Sequence, residues 1–323
     1  MKHSFGSLPV KDLVSTAQLG AGDIGNLFEC AAALKNGRDK YTDLLAGKRL
    51  AMIFEKESLR TRFTFEIGVQ DLGGSAIFLD HRDARLGSRE SVKDMAKNLE
   101  RWVHGIVART YKHRAVTDLA KFANVPVING LSDFLHPCQA LADFFTLSEK
   151  WGDVRGKTIA FLGDGNNTCH SLVHTAATLG TNINVCTPEG YEPNLKVVNE
   201  ALAAAAESGA TVNILNDPIE AVTGVDAVYT DVWASMGQED EIEERAAIFT
   251  EYQVSEELMR QTNDAFFMHC LPAHRGHEVT AGVMDGDRSI VYDIAENRLH
   301  VQKAVMVMTM GAAKETANIG AGA

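Results

Sequence analysis

Short apolar runs bounded by turn residues alternate with amphipathic stretches along nearly the whole chain. From Asp23 to Asn36, the residues Ile24, Leu27, Phe28, Ala31 and Leu34 recur at helical spacing and share one face. Runs with the character of buried strands follow at Leu50 to Phe54, Ser75 to Leu79, Gly105 to Ala108 and Pro126 to Ile128. Between the second and third lies a helix whose Val92, Met95, Leu99, Trp102 and Val103 point inward. A longer helical pattern, Gln139 to Lys150, ends at Trp151-Gly152-Asp153 and reads as a connector. A second set of strands then begins: Lys157 to Leu162, Asn184 to Cys186, Thr211 to Leu215, Ala227 to Tyr229 and Phe266 to His269. Helices Ser171 to Leu179 and Leu195 to Glu207 lie among them, and Asn297 to Met310 is helical with no strand after it. Alternating strands and helices imply parallel sheets with right-handed crossovers. The expected fold is α/β, with two similar domains, each a parallel sheet flanked by helices. Residues 1–150 form the first and 151–299 the second, and a C-terminal helix, about 300–323, packs back on the first.

Length agrees with that division, since 323 residues exceed the usual size of one hydrophobic core. Hydrophobic residues at 45% and charged residues at 23% describe an ordinary globular chain. A net charge of −12 argues against nucleic acid or an anionic membrane as partner. It also means that any anion site must be positive locally, against the field of the whole molecule. Cys30, Cys138, Cys169, Cys186 and Cys270 are irregularly spaced and include no CxxC pair, so neither a disulfide framework nor a zinc site is expected. The N-terminal residues lack the apolar core of a signal peptide and the Arg-rich pattern of a mitochondrial presequence, and no apolar run reaches membrane-spanning length. A reducing, cytoplasmic setting is the expectation.

Four clusters sit at the ends of expected strands, where open α/β sheets place their ligands. Ser58-Leu59-Arg60-Thr61-Arg62 falls at a strand-to-helix turn, where backbone N–H groups, two hydroxyls and two guanidiniums suit a dianionic phosphate. The same five residues read equally well as a Ser N-cap followed by two solvated arginines. Arg109-Thr110, His136-Pro137-Cys138-Gln139 and His269-Cys270-Leu271-Pro272 are the others. Taken singly, His136 reads as a capping residue and Cys270 as a small buried hydrophobe. Gly163-x-Gly165 lacks the third glycine of a dinucleotide fingerprint, and Asn166-Asn167 follow instead. The acidic run Glu239 to Glu244 is most simply a solvated surface.

Together these motifs, with Asp231-Val232-Trp233-Ala234-Ser235-Met236-Gly237 and Glu296-Asn297-Arg298-Leu299, resemble the aspartate/ornithine carbamoyltransferase superfamily and its ornithine branch. The resemblance implies transfer of a carbamoyl group from carbamoyl phosphate to the δ-amine of L-ornithine, with no cofactor and no metal. It implies that carbamoyl phosphate lies on Ser58, Leu59, Arg60 and Thr61, with Arg109, His136, Gln139, Cys270, Leu271 and Arg298 around it. His136 would polarise the carbonyl oxygen as charge builds in a tetrahedral intermediate. Asn167, Asp231, Ser235 and Met236 would hold ornithine, and Cys270 with Asp231 would orient and deprotonate its amine. Arg109, His136, Asp231 and Cys270 are thus the expected catalytic set.

Two departures from the family pattern are visible. Leu59 stands where many members carry Thr, at a position contributing mainly a backbone N–H. Arg85 stands where Gln or His is common, in a segment that reaches a neighbouring subunit's site. The resemblance therefore implies a homotrimer, or multiples of it, with shared active sites. It also makes the acidic run part of a loop that closes over the amino acid. Acetylated ornithine or putrescine as acceptor, and a non-catalytic regulatory member, are the alternatives.

Overall fold

The computed structural model describes residues 5–80, 85–234 and 239–311. Ser235, Met236, Gly237 and the final residues of the expected C-terminal helix lie outside the described residues. Two wholly parallel sheets form. The first holds β1 (Arg49–Phe54), β2 (Ser75–Asp80), β3 (Gly105–Arg109) and β4 (Val127–Leu131) in the order β2-β1-β3-β4. The second holds β5 (Thr158–Leu162), β6 (Asn182–Cys186), β7 (Val212–Leu215), β8 (Ala227–Thr230) and β9 (Phe266–His269) in the order β7-β6-β5-β8-β9. Strand order reverses between β1 and β3 and again between β5 and β8. Such switch points leave a crevice at the carboxyl ends of the strands. The register sets Phe54 beside Arg109, so the turn after β1 and the end of β3 emerge together.

Helices α1 (Ala21–Asn36), α2 (Leu59–Asp71), α3 (Val92–Trp102) and α4 (His113–Phe122) cover the first sheet, and α6 (Asn167–Leu179) and α7 (Leu195–Ser208) lie in the second half. Helix α5 (Pro137–Trp151) joins the halves, and every residue from Pro137 to Leu147 is buried. Its Leu141, Ala142 and Phe145 enter the first core, while Phe144 and Leu147 enter the second. The long C-terminal helix Val291–Met306 likewise gives Ile294 to the second core and Val301, Ala304, Val305 and Met306 to the first. It crosses α2 at Gly68, where a Cβ would meet Met306 Cε at 3.0 Å and Lys303 Cγ at 3.1 Å. Glycine there eases close approach of the two helices, since an added Cβ would have to displace these side chains slightly.

Two helical details differ from expectation. Trp102 is 62% exposed, because α3 stops at it and the extended Val103 takes the buried place instead. Helix α4 was not legible, since only Val116 and Leu119 on it are buried. Among the described residues, no helix is long and apolar enough to cross a membrane.

Candidate active site

The phosphate-type turn is the start of a helix as well as a loop. Ser58 is the N-cap of α2, and its Oγ accepts from the Thr61 N–H at 3.2 Å. The capping reading and the cradle reading are therefore compatible: the cap orders the turn whose outward N–H groups and dipole attract an anion. Leu59 is 68% exposed, so at this position the backbone is what the turn uses. Arg62 leaves the cradle. Its guanidinium lies 3.8 Å from the Phe78 ring centroid and pairs with Glu66 at 3.4 Å. The turn thus carries one inward guanidinium, not the two expected.

Two further arginines replace it. Arg109 arrives at the end of β3, and Arg298 from the C-terminal helix. Arg298 is buried and spans two elements, donating through Nη1 to Gln139 Oε1 at 2.9 Å and through Nη2 to Thr61 Oγ1 at 2.8 Å. Its Nε has no protein partner among the described residues. Burial, with the charges of Arg298 and Arg60, pushes Arg109 down to about 9. Burial likewise lowers Arg60 and Arg298. Three like charges at one cavity are mutually costly, and a dianion among them relieves all three.

His136 sits at the N-terminus of α5, ahead of Pro137 at the first helical position. Its N–H donates to Ser171 Oγ at 2.8 Å. Burial, then Arg298, Arg109 and Arg60, hold its imidazole well below the usual histidine range, so the ring is neutral. A neutral ring still offers one N–H donor. One turn on, Gln139 Nε2 donates to Asp143 Oδ1 at 2.9 Å.

The second half faces this cluster from the other switch point. Asn166 caps α6, its Oδ1 accepting from the Thr168 and Cys169 N–H groups, and its Nδ2 donates to Asp231 Oδ2 at 3.0 Å. Asp231 Oδ1 accepts from the Val232 N–H at 2.9 Å and from the Cys270 thiol at 3.0 Å. Burial, then the Asp231 charge, push the Cys270 thiol well above its ordinary value. It is a hydrogen-bond donor, not a thiolate. Asn167 reaches across the halves, donating from Nδ2 to the Ser132 carbonyl at 2.7 Å. Beside it, His170 Nδ1 lies 2.9 Å from the Phe134 carbonyl, while Nε2 accepts from the Asn194 N–H at 3.0 Å.

One cavity of about 430 Å³ is lined by Ser58, Leu59, Arg60, Thr61, Arg109, His136, Asn167, Asp231, Cys270, Leu271 and Arg298, whereas Gln139 lies behind that lining, bonded to Arg298. Glu57, Leu131 and Thr168 also line it and were not singled out from the sequence, and Val232 and Pro272 line it from within the quoted motifs. Arg85 is exposed and lies 3.3 Å over the Tyr111 ring centroid, outside its own chain's cavity. Asp231, His269 and Cys270 bring potential metal-ligand atoms within 4.8 Å of one another. Protein contacts already engage them, for His269 Nδ1 accepts the Leu271 N–H and Cys270 donates to Asp231.

Sequence reasoning also missed Arg245, buried beside the acidic run, where Glu243 and Glu244 are exposed as expected. It pairs with Asp164 at 2.9 Å and Glu241 at 2.8 Å and donates to the Trp233 carbonyl at 2.9 Å. The helix Ile242–Phe249 is thereby tied to the turn that presents Asn166 and Asn167. An isolated arginine within an acidic run was the only available signal.

Fold and site together define a two-domain α/β protein of parallel sheets in which an arginine-lined face of the crevice opposes a carboxylate–amide face. Residues 11–149 match the family profile described as aspartate/ornithine carbamoyltransferase, carbamoyl-P binding domain, and residues 155–309 match that of the Asp/Orn binding domain. The chain belongs to the aspartate/ornithine carbamoyltransferase family. It is 50% identical over 311 residues to the ornithine carbamoyltransferase of Thermococcus kodakarensis, covering 95% of this chain and 99% of that one. The solved ornithine carbamoyltransferase of Pyrococcus furiosus superposes with a TM-score of 0.92 at 50% identity, over 95% of this chain and 99% of that one. A solved acetylornithine transcarbamylase complexed with acetylcitrulline is more distant, at 30% identity and a TM-score of 0.85, over 93% of this chain and 99% of that one.

Proposed function

We propose that the protein transfers the carbamoyl group of carbamoyl phosphate to the δ-amine of L-ornithine, giving L-citrulline and phosphate. The observation that carries this reading is the pairing, in one cavity, of three buried or half-buried guanidiniums with the Asn167–Asp231–Cys270 group. The phosphate lies on the α2 N-terminus with Arg60, Arg109 and Arg298 around it. The neutral His136 donates to the carbonyl oxygen, and Arg109 adds charge as the tetrahedral intermediate forms. Gln139 accepts from the carbamoyl NH₂. Asn167 receives the α-carboxylate of ornithine and Asp231 its α-ammonium, with Ser235 and Met236 completing that half. In this division residues 1–150 with the C-terminal helix hold carbamoyl phosphate, and residues 151–299 hold ornithine.

The attacking amine sets the hard step. With a pKa of about 10.4 it is 3.4 units from neutral at pH 7, a cost of about 4–5 kcal/mol. Asp231 alone would worsen this by stabilising the ammonium. A thiol held protonated cannot take the proton, so Cys270 orients Asp231 while the departing phosphate is the final acceptor. Closure of the Arg245-anchored segment would desolvate the amine and lower its pKa.

We further propose a cytoplasmic homotrimer, or multiples of it, working in arginine metabolism; the Pyrococcus furiosus relative carries the name ornithine carbamoyltransferase, anabolic. Leu59, Phe63 and Ile67 form an exposed apolar stripe on α2 beside Ile77 and Leu79 of the edge strand β2, which supports burial against a second copy. Arg85 of that copy would complete the phosphate site. Citrulline formation with ornithine, acetylornithine or putrescine offered separately tests the acceptor, and turnover only with ornithine is expected. Mixing Arg85→Ala with Arg109→Ala subunits should restore activity in hybrid sites; no recovery after confirmed exchange refutes sharing.

A further inference from the structure

Asp143 is fully buried on α5, one helical turn beyond Gln139, and is not among the residues that line the cavity. Its Oδ1 accepts from Gln139 Nε2 at 2.9 Å, and Gln139 Oε1 accepts from Arg298 Nη1 at 2.9 Å. We propose that Asp143 is a specificity-determining positioning residue: by engaging Nε2 it turns the carbonyl oxygen of Gln139 toward the transferred group, selecting carbamoyl over the isosteric acetyl group. This rests on the placement of the carbamoyl NH₂ against Gln139 given above.

The two ends of a glutamine amide have nearly the same shape and opposite hydrogen-bond character. Inverting the Gln139 amide would set Nε2 against the Arg298 donor and Oε1 against the Asp143 carboxyl, so both contacts would become repulsive. In the observed orientation Oε1 has a second lone pair beyond the one Arg298 uses. That lone pair can accept from NH₂ and has nothing to offer a methyl group, and acetyl phosphate differs from carbamoyl phosphate only in carrying CH₃ there.

An acceptor at position 143, rather than a charge, is what this requires. Asp143 Oδ2 lies beside the Tyr229 hydroxyl without a well-aligned hydrogen bond. Burial raises the Asp143 carboxyl to about 7, with the Gln139 hydrogen bond, the nearby Tyr229 hydroxyl and the Arg298 charge opposing that rise and Asp231 adding to it. Protonation on Oδ2 leaves Oδ1 free to accept from Gln139, so the amide is held in either state. Asparagine imitates the protonated form and keeps an oxygen toward Gln139.

The test compares KM for carbamoyl phosphate with the competitive inhibition constant of acetyl phosphate in the full-length enzyme. Asp143→Leu, with Asp143→Ala as the smaller alternative should leucine prevent folding, is expected to raise KM for carbamoyl phosphate about tenfold while the acetyl phosphate constant stays within about twofold. Asp143→Asn is expected to keep both constants within about threefold. Equal weakening of both ligands in Asp143→Leu or Asp143→Ala, or an Asp143→Asn enzyme as unselective as those, overturns the proposal in favour of packing or charge. Gln139→Leu separates the two layers of inference. It should itself lose the preference, and if it keeps the preference the carbamoyl placement fails and the role of Asp143 with it. If Gln139→Leu loses the preference while Asp143→Leu and Asp143→Ala retain it, only the role of Asp143 is overturned.

Discussion

Replacing Cys270 separates two roles that its position next to Asp231 makes easy to confuse. The thiol donates to Asp231 Oδ1 at 3.0 Å, and burial with that charge holds it protonated through the pH range in which such an enzyme is assayed. A hydrogen bond to a charged acceptor contributes about 1.5–3 kcal/mol, so Cys270→Ala should lower kcat/KM for ornithine by about 10- to 150-fold. Asp231 does not collapse in that variant, because the Val232 N–H and Asn166 Nδ2 still hold it. Cys270→Ser restores a donor and should recover to within about fivefold of the parent. The decisive measurement is the profile of kcat/KM for ornithine from about pH 6 to 9. Below the amine pKa the reactive fraction grows about tenfold per pH unit, giving a slope near one. A protonated thiol contributes nothing to that slope. The Cys270→Ala line should therefore run parallel to the parent and below it. A slope that flattens, or a limb that moves, would show that Cys270 takes the proton.

Other perturbations address one half of the site or its support. Arg298→Lys keeps a charge but cannot reach both Gln139 Oε1 and Thr61 Oγ1, so KM for carbamoyl phosphate should rise about 10- to 100-fold with KM for ornithine within about threefold; equal effects on both substrates would contradict the assignment. Gly165→Ala would drive a Cβ into the backbone nitrogen of Pro193, shifting the turn that presents Asn166 and Asn167. KM for ornithine should rise at least about tenfold while carbamoyl phosphate binding holds, as ligand binding by calorimetry would show. His170 is pushed down to about 4, chiefly by burial. A histidine depressed in the folded state resists protonation there, so stability present above the unfolded value of about 6.5 is lost as pH falls toward 4. That depression corresponds to roughly 3 kcal/mol in full and about 2 kcal/mol by pH 5. Urea unfolding at pH 7.5 and pH 5 should show that loss, reduced by a similar amount in His170→Gln; an equal pH dependence in both would refute it.

The half proposed to hold phosphate was the more legible in sequence, and the reason is local. Its turn is a cap and one helical turn, so residues adjacent in the chain are adjacent in space, and the strand before it is apolar from Leu50 to Phe54. Even there the count of arginines went astray. Arg60 and Arg62 are two positions apart, which on a helix is about 200° of rotation, so both cannot face one ligand once the helix begins at Leu59. Of the two arginines that do join Arg60, Arg109 comes from the end of β3 and Arg298 from another helix, 237 residues beyond the Thr61 it contacts. The half proposed to hold ornithine gathers Asn167, Asp231 and Cys270 from the ends of three strands, and Arg245 from a helix whose neighbours are acidic. No local pattern encodes those meetings, because they arise from the order in which β5, β8 and β9 lie in the sheet. The clamps between the halves, Asn167 to Ser132, His136 to Ser171 and His170 to Phe134, are of the same kind. They join the loop carrying His136 to the first turns of α6. The group proposed to polarise the carbonyl and the group proposed to seat ornithine are thus positioned by one contact surface, and a shift of either half against the other should alter binding of both substrates together.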